Sequence, residues 1–235
     1  MAESVSQAIL RFHDRLVKDP HHRYRSWEHC FGHFQKRETF CNSEQLDVAA
    51  LHLAFYLASW GMYRGSSFLL WKDYTIHRKA VRTLLQGRYA GLWDSSSHDQ
   101  SSDAEKVESL LGLFAALRKS YVDQITLVNG ERRSVKPSDT LITKMLLGTI
   151  GCVPACDRYF IVGFRSKGYR FTRFGKEFIA EVLRFCRLER AELSAAEAKL
   201  QRESKVRYPI MKLVDMYFWQ LGFDLIPEAG VTAEQ

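Results

Sequence analysis

Apolar residues recur with a helical period along most of the chain. The strongest case follows Asn42, where NSEQ offers a side-chain cap with Gln45 three positions on, ahead of LDVAALHLAFYLASWGM. Leu46, Leu53, Leu57 and Trp60 make one stripe, and Val48, Leu51, Phe55 and Ala58 make a second. A helix apolar on two sides is expected to run through the middle of a fold. Helices are also expected over 4–18, 27–36, 67–72, 74–85 (ended by Gly87) and 103–121. Further on, one is expected from a Ser138 cap to Gly148, another over 172–204, and a last one over 208–221 with Pro209 in its first turn. The Asn129-Gly130 pair marks a small hairpin, the one strand signal in the chain. The stretch SSSHDQSS, 95–102, has no apolar residue and reads as a surface loop. The expected architecture is all-α. It is a single globular unit with lobes at about 1–94 plus 172–235 and at 103–171, and a cleft between them.

The composition sharpens this picture in three ways. With 46% hydrophobic and 26% charged residues among 235, the chain can bury a real core, which excludes disorder, collagen and coiled coil. Thirty-four basic against 27 acidic side chains leave a net charge of +7, which suits a polyanionic partner. Five cysteines without a CxxC unit fit reduced thiols in a cytoplasmic protein better than disulfides or zinc. The amino terminus lacks the apolar stretch of a secretory signal, and the run 48–62, broken by His52 and Ser59, is too short to cross a bilayer. No membrane partner is therefore expected. His29 and His33 have metal-ligand spacing without a third ligand, so an amphipathic helix explains them and no metal is expected. No Walker loop, dinucleotide fingerprint, nucleophile elbow or kinase set is present, so no cofactor is expected.

The stretch 136–176 carries the chemistry: KPSDTLITKMLLGTIGCVPACDRYFIVGFRSKGYRFTRFGK. Gly151 and Pro154 make a tight connection that presents Asp157 at the start of an apolar helix. Arg158, Arg165, Lys167, Arg170, Arg173 and Lys176 follow with no acid among them, interleaved with Tyr159, Phe160, Phe164, Tyr169, Phe171 and Phe174. Cations alternating with aromatic rings suit a phosphate backbone and unstacked bases, and Lys136 and Lys144 extend that set upstream. Just after the long helix, Trp60, Tyr63 and Trp71 can wall a pocket for an extruded base. Arg64, Ser66 and Ser67 would there hydrogen-bond the base edge or a sugar attached to it. Each of these residues also has a plain structural reading: Asp157 as a helix cap, the aromatics as core.

The segment GTIGCVPACDRYF resembles the catalytic strip of the helix-hairpin-helix DNA glycosylases: a helix, a glycine turn, an apolar residue, proline, and an aspartate opening the next helix. The resemblance covers about twenty residues. It implies a cleft between helical lobes and makes Asp157 the carboxylate essential for base excision. KPSDTLITK stands where the family has its glycine hairpin, and the four-cysteine cluster of the iron-sulfur members is missing. The mismatch leaves Lys144 a poor fit to the lysine some members use, so no Schiff base is expected. The chain is also similar, in its compact size and its Trp, Tyr and Arg content, to anti-phage glycosylases that remove sugar-modified cytosines. That likeness implies phage DNA with modified bases as partner. Competing readings are a non-catalytic nucleic-acid-binding protein and a helical toxin or regulatory module with a basic partner-binding face. A nuclease would need a carboxylate cluster for a divalent ion, which the sequence does not display.

Overall fold

Caps and turns set the element boundaries. The computed structural model describes residues 3–93, 103–124, 127–132 and 134–226; the serine-rich stretch 95–102 lies outside the described residues. Helix α1, Val5–Lys18, opens on Ser4, whose hydroxyl accepts from the Gln7 backbone at 3.3 Å while the Gln7 side chain accepts from the Ser4 N–H at 2.9 Å. Then follow α2, Arg25–Phe34, and α3, Ser43–Ser59, which Asn42 caps by accepting from Gln45 N at 2.9 Å. The expected helix over 67–72 is only a 3₁₀ turn, Phe68–Trp71, and a second turn, Tyr74–His77, leads into α4, Arg78–Leu84. Helix α5 is Asp103–Val122. Strands β1, Leu127–Val128, and β2, Glu131–Arg132, pair antiparallel with Leu127 opposite Arg132. Asn129 (φ +52°) and Gly130 (φ +77°) both take the left-handed conformation that a two-residue hairpin turn needs.

The remaining helices are α6, Asp139–Thr149; α7, Arg158–Ser166; α8, Lys176–Leu188; α9, Arg190–Glu203; and α10, Ile210–Leu225. The helix expected over 172–204 is therefore two, starting at Lys176 and broken at Glu189. Pro209 is the N-cap of α10 rather than a first-turn residue, as its missing N–H would allow either. The fold is all-α with one small hairpin.

One continuous core links these helices. Its tightest crossing is α7 on α10, and α10 also packs on α1 and α9. A Cβ on Gly163 would overlap the Phe218 carbonyl, and one on Gly222 would overlap the Tyr159 carbonyl, so the two backbones touch where neither residue has a side chain. Phe160, Phe164, Phe178 and Phe218 close around the crossing, fully buried, each stabilising by about 1.5–3 kcal/mol. Helix α7 belongs to the segment 103–171, and its main partner α10 belongs to the segment 172–235. Helix α6 lies against α2, α3 and α5 and is buried over nearly its whole length.

Helix α3 corrects the sequence reading. Its first stripe faces inward, with Leu53 and Leu57 sealed, but Val48, Leu51 and Phe55 are 41%, 52% and 58% exposed. Periodicity reports that a side is apolar; α2, α4, α6 and the Tyr74–His77 turn pack on α3, yet the second stripe stays exposed among the described residues. No helix among the described residues is long and apolar enough to cross a membrane.

Candidate functional site

The site begins on α6. The Ser138 hydroxyl caps it by accepting from Leu141 N at 3.1 Å, and Lys144 follows two turns in, only 4% exposed. Past the helix, Gly151 reverses the chain at φ +74°. A Cβ there would stand 2.6 Å from Pro209 and 2.9 Å from Phe31, so the turn is restricted to glycine by both conformation and space. The chain then runs extended to Asp157, clamped from two sides. Helix α6 holds it through Thr143, which accepts from Cys156 N at 2.9 Å, and Thr140, whose hydroxyl donates to Cys156 O at 2.7 Å. Helix α10 holds it through Asp215, which accepts from Ala155 N at 3.0 Å.

This clamp fixes Asp157 as the N-cap of α7. One carboxylate oxygen accepts from Phe160 N at 3.0 Å, and the other lies 3.3 Å from the Lys144 ammonium. Lys144 also donates to the Trp60 carbonyl at 2.9 Å and stands 5.6 Å from the centre of that indole. The Asp157 carboxylate thus stands between the Lys144 ammonium and the N-terminal end of α7. The two side chains keep 6% and 11% exposure, a narrow contact with solvent.

A second Lys–Asp pair lies on α10, where Lys212 meets Asp215 at 2.8 Å with exposures of 3% and 2%. The Lys212 ammonium is walled by Phe12, Trp27 and Trp60, whose ring centres stand 5.3, 5.2 and 5.0 Å away. Burial pushes the Asp215 carboxyl above the usual range; Lys212 opposes this, and the charge of Asp157 adds to it. Burial likewise lifts the nearby Tyr56 phenol well above its ordinary value. Two lysines and two aspartates thus share one aromatic-walled interior, with the centre of the Trp60 ring 5.6 Å from one ammonium and 5.0 Å from the other. A buried ion pair stabilises a fold little better than well-packed apolar residues would, so stability alone does not account for two of them.

A cavity of about 680 Å3 lies beside the first pair, between the segment after α3 and the approach to α6. Gly61, Arg64, Ser66, Lys136, Ser138 and Leu141 are in its wall. Two connections tie it to Lys144. Leu141 precedes Lys144 by one turn on the same side of α6, and Gly61 follows Trp60, whose carbonyl Lys144 holds. Arg64 folds back over Gly61, its Cζ 3.0 Å from where a Cβ would stand. Arg64 and Lys136 are both exposed.

Among residues expected to form a base pocket, the structure brings Arg64, Ser66 and Ser67 to this cavity, and none of the aromatic ones. Trp60 stacks on Tyr24 at 4.5 Å in the core beneath it. The Tyr63 hydroxyl bonds His77 Nε2 at 2.6 Å, the other side of that buried ring meets Tyr121 at 2.6 Å, and Trp71 is 52% exposed. Asp157 is itself 8% exposed, and neither it nor Lys144 is in the cavity wall, so the carboxylate does not stand on an open cleft face.

Of the residues expected to hold phosphates, Lys136, Arg158, Arg165, Lys167, Arg170 and Arg173 are exposed, whereas Lys144 is not and pairs with Asp157 instead. The interleaved rings do not stand beside the cations. Phe160, Phe164 and Tyr169 are core, Phe174 stacks on Phe114 at 4.1 Å, and of the six only Phe171, 51% exposed, faces solvent. Over Arg158–Ser166 the alternation is the ordinary amphipathic pattern of α7, and beyond it Tyr169 and Phe174 pack back onto the core.

Lys212 and Asp215 were missed from sequence. Their signal was present: two charges three residues apart inside the apolar IMKLVDMYFW. His33 stacks on His52 at 4.1 Å, and no group of residues that could hold a metal ion occurs among the described residues. All five cysteines are free thiols. Comparison with protein families, with curated proteins and with solved structures gave no match.

Proposed function

We propose that the chain is a DNA N-glycosylase that extrudes a modified nucleotide into the cavity beside Lys144 and breaks its glycosidic bond with Asp157. The observation that carries this reading is the Lys144–Asp157 pair, 3.3 Å apart at the N-terminus of α7, one helical turn along α6 from Leu141 in the wall of the cavity that contains Arg64. The bond from C1′ to the base nitrogen breaks with its electron pair going to the base, which takes up a proton. Positive charge spreads over C1′ and the ring oxygen, and the Asp157 carboxylate stabilises it. A water oxygen then adds to C1′ and releases its proton, leaving an abasic sugar. Lys144 compensates the buried carboxylate until the nucleotide enters. The exposed run from Arg158 to Arg173 supplies the attraction to the phosphate backbone.

The experiment is incubation of the purified chain with undamaged DNA, chemically damaged DNA and phage DNA carrying modified bases, with released base and abasic sites as readout. Borohydride added during the reaction tests Lys144. A covalent adduct that disappears in Lys144→Met makes this amine a nucleophile; base release without adduct leaves it a counter-charge. A second reading, non-catalytic nucleic-acid binding, is favoured by the near-complete burial of Asp157 beside an exposed basic run. It predicts salt-sensitive binding with no product from any of the three DNAs.

A further inference from the structure

A second cavity, of about 290 Å3, differs in kind from the polar one. Its walls come from separate elements: Leu92, Leu110 on α5, Leu183 on α8, and Met211 on α10. Cys152 and Gly151 close it on the side of the turn that leads to Asp157. Burial pushes the Cys152 thiol up to about 12, so it is a neutral apolar surface rather than a nucleophile.

Two side chains in the lining carry charge, and both are cations. Lys106 is half-buried and makes no hydrogen bond or ion pair among the described residues. Arg207 is exposed and shares its guanidinium with Glu197 at 3.2 Å. No Asp or Glu lines the cavity among the described residues. The lining is therefore apolar but for these cations, and the Lys106 ammonium has no partner among the described residues. An anion seated at Lys106 would gain a charge-assisted hydrogen bond, and a tail behind it would be removed from water.

We propose that this cavity binds a free single-chain aliphatic carboxylate, its acid group on Lys106 and its chain against Leu110, Leu183 and Met211. The site is independent of the glycosylase reading, since it shares no residue with the Lys144–Asp157 pair or the polar cavity.

The test is titration of decanoate into the full chain labelled at the methionine ε-methyls, followed by NMR. The chain has five methionines, and Met211→Leu assigns the one that matters. The Met211 resonance is expected to move saturably with decanoate. Decanol should bind at least about tenfold more weakly, and decylammonium should not bind. Lys106→Glu, a change that suits the first turns of α5 and leaves the core untouched, should weaken decanoate by about tenfold or more. A Met211 resonance that does not respond to decanoate overturns the proposal. So do equal responses to all three amphiphiles, or unchanged affinity in Lys106→Glu.

Discussion

The two buried Lys–Asp pairs use the same residue types in the same interior and set their ammoniums against the same indole, yet they are built differently. Lys212 and Asp215 sit three residues apart on one helix, so their geometry is fixed by α10 itself, and three aromatic rings enclose the ammonium. Lys144 and Asp157 come from different elements, keep a thread of solvent contact, and lie one helical turn from a cavity through Leu141. A pair within a helix can only hold: Asp215 grips the Ala155 N–H and so fixes the approach to Asp157. A pair between elements can be opened by a small movement of either one. The lesson is that burial and charge alone do not mark a reactive site; which backbone carries each partner does.

The largest stability effect should come from breaking the sealed pair. Lys212→Met leaves Asp215 buried without its counter-charge and should destabilise the fold by about 3–5 kcal/mol in denaturant unfolding. The double variant Lys212→Met with Asp215→Asn should recover most of that, because Asn still accepts from Ala155 N and no charge is left alone. A double variant as unstable as the single would dissolve the distinction between a clamp and a reactive group.

Acid sets the window in which the pairs can be compared. Burial lowers His77 to about 3 and His33 to about 4, and also lowers His13 and His52. These rings resist protonation when folded, so the unfolded chain binds more protons below pH 6.5, and stability is lost as pH falls from 6.5 towards 3. His77 alone accounts for about 2 kcal/mol between pH 6.5 and pH 5, and His77→Gln should flatten that part of the stability profile. An equal slope in the variant would mean that the Tyr63–His77–Tyr121 bridge does not keep its ring neutral.

The smallest effect sharpens the comparison from the other side. Ser138→Ala removes the cap of the helix that carries Lys144 and should cost about 1 kcal/mol, with no change in the environment of α10. Indole NMR signals of Trp60 and Trp219 would report it: a shift confined to Trp60 is expected, and equal shifts in both would mean that the pairs move as one.

The sequence revealed what local chemistry controls. Asn42, Ser138 and Asn129-Gly130 announced their helices and hairpin because a cap or a positive-φ turn is decided by a few adjacent residues. What depends on distant partners stayed hidden. Nothing in the α3 pattern says that Val48, Leu51 and Phe55 lack a covering helix. Lysine in a helix reads as surface, so the sequence groups Lys144 with phosphate contacts, whereas the fold buries it 3.3 Å from Asp157. The basic run kept its exposed cations, but its rings were already committed to the α7–α10 core.

The most direct measurement is the single-turnover rate of base release for Asp157→Asn beside that of the Lys212→Met, Asp215→Asn double variant, on whichever DNA the parent chain cleaves. Asn caps a helix as well as Asp, so the first variant removes charge without unseating α7. The account predicts a fall of at least about 1000-fold for Asp157→Asn and a rate within about tenfold of the parent for the double variant. Undiminished release by Asp157→Asn, or an equal loss in both, would contradict it.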